Sequence, residues 1–257
     1  MAAGAGSPGF GVDIGGSGIK GGVVDLERGA LAAERVRIPT PQPATPEAVC
    51  DVLARVLDQA GAPQGPFGLT LPAVVVDGEV RTAANIDDAW IGTDVVALVE
   101  QHTGRRPVVV NDADAAGIAE ARYGAARDIA GTVLVLTLGT GIGSALLRDG
   151  RLVPNAELGH LEIDGELGEH RASDAARERE GLSWAQWAAR LQRYLRHVDR
   201  LLWPDLIVLG GGVSKKSDKW LHLLDVRPPV RPAGLRNDAG MVGAALLAAH
   251  APGGPTG

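Results

Sequence analysis

Cysteine is nearly missing from this chain: Cys50 stands alone among 257 residues. A lone thiol excludes an internal disulfide framework and any zinc site built on several cysteines. Long apolar runs are missing as well. A stretch such as Thr132 to Leu138 falls far short of the roughly 20 residues that a bilayer-spanning helix needs, so no membrane partner is expected. Met1 to Phe10 has neither a basic start nor a long apolar core, so no secretory signal is read there and the expected compartment is the cytoplasm. A surplus of positive charge is also absent. The 25 basic and 31 acidic side chains leave a net charge of −6, which argues against nucleic acid bound over a broad basic face. That balance still allows a polyanion in one local basic groove. Lysine is scarce: Lys20, Lys215, Lys216 and Lys219 are the full set, each following or lying inside a glycine-rich turn, and arginine carries the other positive charges.

What is present reads as globular. Hydrophobic residues make up 45% and charged ones 22%, so wholesale disorder is excluded, and the length suits one large domain or two small lobes. Short apolar runs alternate with helical patterns, as in an α/β protein. Strands are expected at Gly9–Ile14, Gly22–Asp25, Val36–Ile38, Phe67–Leu71, Pro107–Val110, Val133–Leu138, Ser144–Arg148 and Leu206–Leu209. The first three predict an antiparallel meander, because the links between them are too short for crossover helices. Thr45 to Ala60 predicts a helix with Pro46 in its first turn and an apolar stripe of Val49, Val52, Leu53, Val56 and Leu57. Ser183 predicts the cap of a long helix whose stripe of Trp184, Trp187, Leu191, Tyr194, Val198 and Leu201 reads as core, ended by Pro204. A last helix, about Asp238 to His250, is rich in alanine and glycine and should pack closely.

Three times a buried strand runs into a glycine turn: at Val12–Gly18, at Leu138–Gly143 and at Leu209–Gly212. Gly16-Ser17-Gly18-Ile19-Lys20-Gly21 matches a dinucleotide-binding fingerprint in form, yet the next residues read as a strand, and that fingerprint should open a helix. It is not a Walker A loop either, since Lys20 is followed by glycine. A hairpin of small residues with a lysine can present backbone N–H groups to phosphate oxygens. A plain tight turn remains the alternative for any one of the three. A fourth strand ends in Asn111-Asp112, where a carboxylate could orient a hydroxyl and accept its proton, or simply cap a helix. Glu157 and His160, in a turn after Pro154, offer an acceptor and an imidazole to a sugar, or form a surface pair.

Taken together these motifs resemble the ROK family of sugar kinases over almost the whole chain. Asp13-Ile14-Gly15-Gly16-Ser17-Gly18-Ile19-Lys20-Gly21 resembles the family's first phosphate motif, Leu138–Gly143 its second, and Gly210-Gly211-Gly212-Val213-Ser214 its nucleotide-side turn. Asn111-Asp112 matches the catalytic aspartate, Glu157-x-Gly159-His160 the E-x-G-H sugar motif, and Asn85 a sugar-contacting asparagine. Pro39-Thr40-Pro41, Asn85–Gly92, Glu157–Ile163, Leu182-Ser183-Trp184 and Gly210–Lys216 are similar to the polyphosphate-using members. The cysteine-rich zinc loop of most ROK proteins is absent here, so His160 has no cysteine partners and no zinc-ligating residue is implied. Ala172-Ser173 after Glu169 resembles the segment that follows that loop. No helix-turn-helix precedes the first phosphate motif, which argues against a repressor.

The resemblance implies an α/β, two-lobed actin/hexokinase-like (ribonuclease H-like) fold with an inter-lobe cleft. The expected lobes are residues 1–112, with helix 240–257 returning to them, and residues 113–239. The implied activity moves a phosphoryl group from inorganic polyphosphate to the 6-hydroxyl of glucose with Mg²⁺, and leaves open whether ATP is a second donor. Asp112 is then the base, while Asn85, Asn111, Glu157, His160 and Glu169 bind sugar. Asp13, Gly15, Gly16, Ser17, Gly18, Lys20, Gly139, Thr140, Gly141, Gly143, Gly210, Gly211, Gly212, Lys215 and Lys216 hold phosphate. A homodimer is implied as well. The alternatives are an ATP-only hexose kinase, a dinucleotide-dependent oxidoreductase, and a non-catalytic sugar-sensing module.

Overall fold

A computed structural model describes residues 8–83 and 86–251. The chain divides into two compact units, one running to Ala119 and resuming at Asp238, the other spanning Glu120–Asn237. In the first unit β1 (Gly9–Gly15) and β2 (Gly18–Asp25) form a hairpin, and the short strands β3 (Ala30–Leu31) and β4 (Val36–Ile38) both pair with β2. Parallel to β1 run β5 (Phe67–Leu71) and then β8 (Pro107–Asn111). A small hairpin of β6 (Val75–Val76) and β7 (Glu79–Val80) stands apart from this sheet. The meander therefore forms, and β2 starts at Gly18, four residues before the strand expected from the sequence.

Three helices cover the first sheet. α1 (Pro46–Gln59) begins as the sequence predicts, with Thr45 Oγ1 accepting from the Ala48 N–H and Pro46 in the first turn. Its expected stripe, Val49, Val52, Leu53, Val56 and Leu57, is buried together with Cys50. Each such aliphatic side chain removed from water contributes about 2 kcal/mol. Burial, with Asp51 and Glu47 nearby, pushes the Cys50 thiol up to about 12, which makes it a packing residue rather than a nucleophile. α2 (Val95–Thr103), capped by Asp94 and ended by Gly104 at φ +66, was not legible as a helix in the sequence. α7 (Ala239–His250) lies on β1 and β5 at the closest approach backbone permits. A Cβ at Gly11 would overlap the Met241 carbonyl, one at Gly68 the Ala244 carbonyl, and one at Gly243 the Ala115 carbonyl.

The chain first passes from one unit to the other within α3 (Asp112–Tyr123), and returns after Asn237. The sequence-based boundary at residue 112 falls at its start, whereas the change of unit comes after Ala119. The reason is packing: Ala115, in the first half of α3, is buried with Val110 and with Ala244 of α7.

The second unit is built on β9 (Thr132–Leu138), β10 (Ile142–Arg148), β11 (Arg151–Val153), β14 (Leu206–Gly210) and β15 (Val230–Pro232), in the order β11-β10-β9-β14-β15. A hairpin of β12 (Glu162–Ile163) and β13 (Glu166–Leu167) leads into the short helices α4 (Gly168–Ala172) and α5 (Asp174–Arg179). α6 (Trp184–Leu202) is capped by Ser183 as expected, its Oγ accepting from the Gln186 N–H, and Gln186 completes a capping box by accepting from the Ser183 N–H; the helix ends at Trp203 just before Pro204. Trp187, Leu191, Tyr194 and Val198 are core, as the stripe predicts, but Leu201 is 58% exposed. Four residues after Val198 the inward position is Leu202, which packs on that core, and Leu201 has rotated off the stripe. Glu120 is fully buried and satisfied by backbone: Oε2 accepts from the Ala125 and Gly234 N–H groups and Oε1 from Leu235.

Candidate active site

The first glycine turn closes the β1–β2 hairpin, with Gly15 opposite Gly18. No helix opens here, which removes the dinucleotide fingerprint and with it the oxidoreductase alternative. Asp13 and Lys20 are cross-strand partners, and Lys20 Nζ lies 2.9 Å from Asp13 Oδ2. Thr70, the partner of Asp13 on β5, donates to Asp13 Oδ1 at 2.8 Å. The Asp13 carboxylate is thus held from both sides, and the backbone of Gly240, in the first turn of α7, lies beside it. The turn itself is fastened from β4 and the residues after it. Thr40 donates to the Gly15 carbonyl, and Arg37 donates to Ser17 O at 2.9 Å. Neither tether was recognised from the sequence, although Thr40 stands within the marked Pro39-Thr40-Pro41.

Asn111 ends β8 and caps α3. Its Oδ1 accepts from the N–H groups of Ala113 at 2.8 Å and Asp114 at 3.1 Å, and its Nδ2 donates to Ala73 O at 3.2 Å. The cap reading of Asn111 is therefore correct for this side chain, which is 9% exposed. Asp112 is the first residue of α3, half-buried, with Oδ1 accepting from the Ala113 N–H at 2.8 Å. A carboxylate at the carboxyl end of a parallel strand is where α/β proteins place reacting groups. The sugar-contact expectation for Asn85 lies outside the described residues.

In the second unit the other two glycine turns are neighbours. β9 and β14 are parallel partners through Gly210 and Thr137, and each runs into glycine, β14 ending at Gly210 and β9 followed by Gly139. Gly211 has φ +83, and a Cβ there would overlap the Leu138 carbonyl, so both its conformation and its surroundings require glycine. Ser214 is buried and donates from Oγ to Gly211 O at 2.8 Å. The turn of Gly139, Thr140 and Gly141 is closed by Gly139 N donating to Gly141 O at 3.1 Å, and Gly143 follows in β10. Lys215 and Lys216 are exposed, and Gly212–Lys219 is a 3₁₀ segment kinked at Lys216 rather than an open loop. Lys216 Nζ stands 5.9 Å from the ring centroid of Trp184, whose ring is also 4.3 Å from the Arg177 guanidinium carbon.

Glu157, His160 and Glu169 converge on this second turn. Glu169 Oε2 accepts from the Ile142 N–H at 3.2 Å, and a Cβ at Gly141 would overlap that oxygen. Glu169 Oε1 is 3.7 Å from His160 Nε2. Burial raises the Glu157 carboxyl above the usual carboxylate range, with His160 opposing the shift and Glu169 adding to it. Ser144 of β10 fixes the turn that carries Glu157 by donating to Ala156 O and accepting from the Leu158 N–H at 2.9 Å. Gly159 is glycine because a Cβ would overlap the Ile142 carbonyl. Tyr194 is buried behind this cluster, and its hydroxyl, whose pKa is raised by burial and by the Glu169 charge, has no hydrogen-bond partner among the described residues. In the sequence Ser144 reads only as the start of a strand and Tyr194 only as core, because neither lies in a motif that would tie it to this cluster.

The comparisons with known proteins agree across most of the chain. Residues 9–182 match the model of the ROK family. A polyphosphate glucokinase of Mycobacterium tuberculosis is 50% identical over 239 residues, covering 93% of this chain and 90% of its own. The crystal structure of an inorganic polyphosphate/ATP-glucomannokinase from Arthrobacter superposes with a TM-score of 0.91 at 55% identity, covering 95% of this chain and 98% of the other. A ROK family glucokinase from Streptomyces griseus, solved in complex with glucose and AMPPNP, gives a TM-score of 0.81 at 26% identity, covering 95% and 100%.

Proposed function

The chain belongs to the ROK family, and from that premise we propose that it transfers a phosphoryl group from inorganic polyphosphate to the 6-hydroxyl of glucose, with ATP as a second donor. The observation that carries this reading is the likeness to polyphosphate-using sugar kinases, in sequence and in fold, over nearly the whole chain. The fold is therefore the two-lobed actin/hexokinase-like one of ROK sugar kinases.

In this reading Asp112 orients the attacking hydroxyl and accepts its proton as the bond to phosphorus forms. Asn85, Asn111, Glu157, His160 and Glu169 hold the sugar. Glu157 and Glu169 would accept from sugar hydroxyls, and the engagement of Glu169 with the Ile142 N–H and His160 keeps its carboxylate in one orientation. Gly15, Gly16, Ser17, Gly18 and Lys20 in one unit, and the turns at Gly139–Gly143 and Gly210–Gly212 in the other, offer backbone N–H groups and charge to phosphates. The transition state is loose and spreads negative charge over its equatorial oxygens, so fixed donors contribute more than covalent chemistry. Asp13 is the carboxylate of this turn that would hold a magnesium ion, in exchange for its present bond to Lys20, which would then turn to the donor phosphate. Such an ion usually takes one or two carboxylates and fills its remaining positions with water and phosphate. When bound, that ion supplies neutralising charge to the phosphates. A cytoplasmic homodimer completes the reading.

A single assay tests it. Purified protein is given glucose with Mg²⁺ and polyphosphate, ATP or no donor, and glucose 6-phosphate is measured. Product with polyphosphate is the expected result. Product with ATP alone would make this an ATP-only hexose kinase, and no product with either donor, despite glucose binding, would make it a sugar-sensing module.

A further inference from the structure

Four side chains stand in one line across the first sheet. Thr70 on β5, Asp13 on β1, Lys20 on β2 and Arg37 on β4 are successive Cα partners, so they share one face. The first three are satisfied among themselves, Thr70 and Lys20 each bonding one oxygen of Asp13. Arg37 is different. It sits directly opposite Lys20, and like charges at facing positions of an antiparallel pair destabilise a sheet. Asp13 neutralises Lys20, whereas among the described residues Arg37 makes no ion pair. Arg37 is exposed and, among the described residues, bonds from one terminal nitrogen to Ser17 O, which leaves most of its guanidinium donors available. Gly18 makes this placement possible. A Cβ there would come within 2.7 Å of Arg37 Nε and 2.8 Å of Cζ, displacing the guanidinium from the turn.

We propose that Arg37 binds the phosphoryl donor directly, as the uncompensated cation of the first phosphate hairpin. The proposal rests on the donor assignment above. A guanidinium lying over the Gly15–Gly18 turn presents a planar fork to phosphate oxygens, and an anion bridging Arg37 and Lys20 relieves their mutual repulsion. A chain of repeated phosphates gains from such an outlying cation, because the phosphates beyond the transferred one carry charge that the hairpin N–H groups do not reach. The bland reading is that Arg37 only braces the turn through Ser17 O.

Arg37→Gln and Arg37→Lys separate the two. The glutamine amide can still donate to Ser17 O but has no charge, and the lysine keeps the charge. For the wild type and both variants, the KM for long polyphosphate, kcat and the KM for glucose are measured at two salt concentrations. The dissociation constant for tripolyphosphate is measured by calorimetry, and melting temperature controls for folding. Arg37→Gln should raise both the polyphosphate KM and the tripolyphosphate dissociation constant about 10- to 100-fold and weaken their salt dependence, with glucose KM within a factor of about 3. Arg37→Lys should recover most of the lost affinity. Tripolyphosphate affinity and salt dependence unchanged in Arg37→Gln, or a lysine variant as weak as the glutamine one, would overturn the proposal and leave Arg37 a brace. If the wild type made no glucose 6-phosphate from polyphosphate, the functional reading would fall instead, and the calorimetric comparison would still decide Arg37.

Discussion

Replacing Asp112 by asparagine separates a chemical role from a structural one, because the two predict effects of different size on different readouts. Asp112 is the first residue of α3, and its Oδ1 accepts from the Ala113 N–H. Asparagine keeps an acceptor of the same shape there. What it loses structurally is a negative charge at a helix N-terminus, about 0.3–1 kcal/mol. For a chain of this size that corresponds to a melting shift of at most about 2–4 °C. The chemical loss is larger. Without a proton acceptor beside the attacking hydroxyl, turnover should fall by roughly 10²–10⁴, equivalent to about 3–5 kcal/mol of transition-state stabilisation. The glucose KM should move only a few-fold. The neighbouring Asn111 supplies the contrast. Its side chain holds two N–H groups of α3 and the Ala73 carbonyl, so Asn111→Ala should cost stability, about 1–2 kcal/mol, in addition to any loss of activity. Turnover by a coupled glucose 6-phosphate assay, with thermal melts of the same preparations, measures all of this. An Asp112→Asn protein with near-normal turnover would refute the assignment, and loss in Asp114→Asn alongside it would move the base two residues along the helix.

Three further outcomes are expected. Gly68→Ala should destabilise the protein by about 1–3 kcal/mol, read as a lower urea midpoint, because its Cβ meets the α7 backbone at Ala244 and Ala245 rather than a side chain that could move. Glu157 has its pKa raised by burial, so the wild-type glucose KM should climb as pH falls through a window above 4.5, while Glu157→Gln should have a high KM at every pH. The stability sign is opposite. A carboxylate with a raised folded pKa binds its proton more tightly when folded, so ionising it costs stability as pH rises through that window, and the glutamine variant should lack that loss. Neutralising Lys215 and Lys216 together should raise the KM for long polyphosphate more than that for ATP, with the gap closing at high salt; equal effects on both donors would remove this segment from a polyphosphate track.

Much of the fold was legible because short-range rules govern it. The start of α1 at Pro46, the cap at Ser183, the stripe of α1 and the strand-then-glycine turns depend on residues within a few positions of one another. Other elements were not legible for equally physical reasons. α2 has a weak apolar pattern, and only its Asp94 cap and Gly104 terminus announce it in retrospect. The two-residue strands β3, β6, β7, β12 and β13 are too short to carry a period.

The sequence by itself therefore determined the identity of the glycine turns, the Asn111-Asp112 step at the end of a strand, and the E-x-G-H segment, since each is a local string whose chemistry its residues carry. Tertiary structure decided which of those residues still have chemistry to offer. Lys20, the lysine of the first phosphate motif, is tied to Asp13 by cross-strand pairing, while Arg37, outside every motif, faces it from a strand that pairing alone brings alongside. Glu169 reaches the second glycine turn because Gly141 leaves room for its carboxylate. Gly11 and Gly68 read as ordinary strand glycines until a helix more than 170 residues later in the chain lies on their Cα atoms. Contacts of that kind join residues that share no neighbourhood in the sequence, so register and helix docking set them, and no local pattern encodes them.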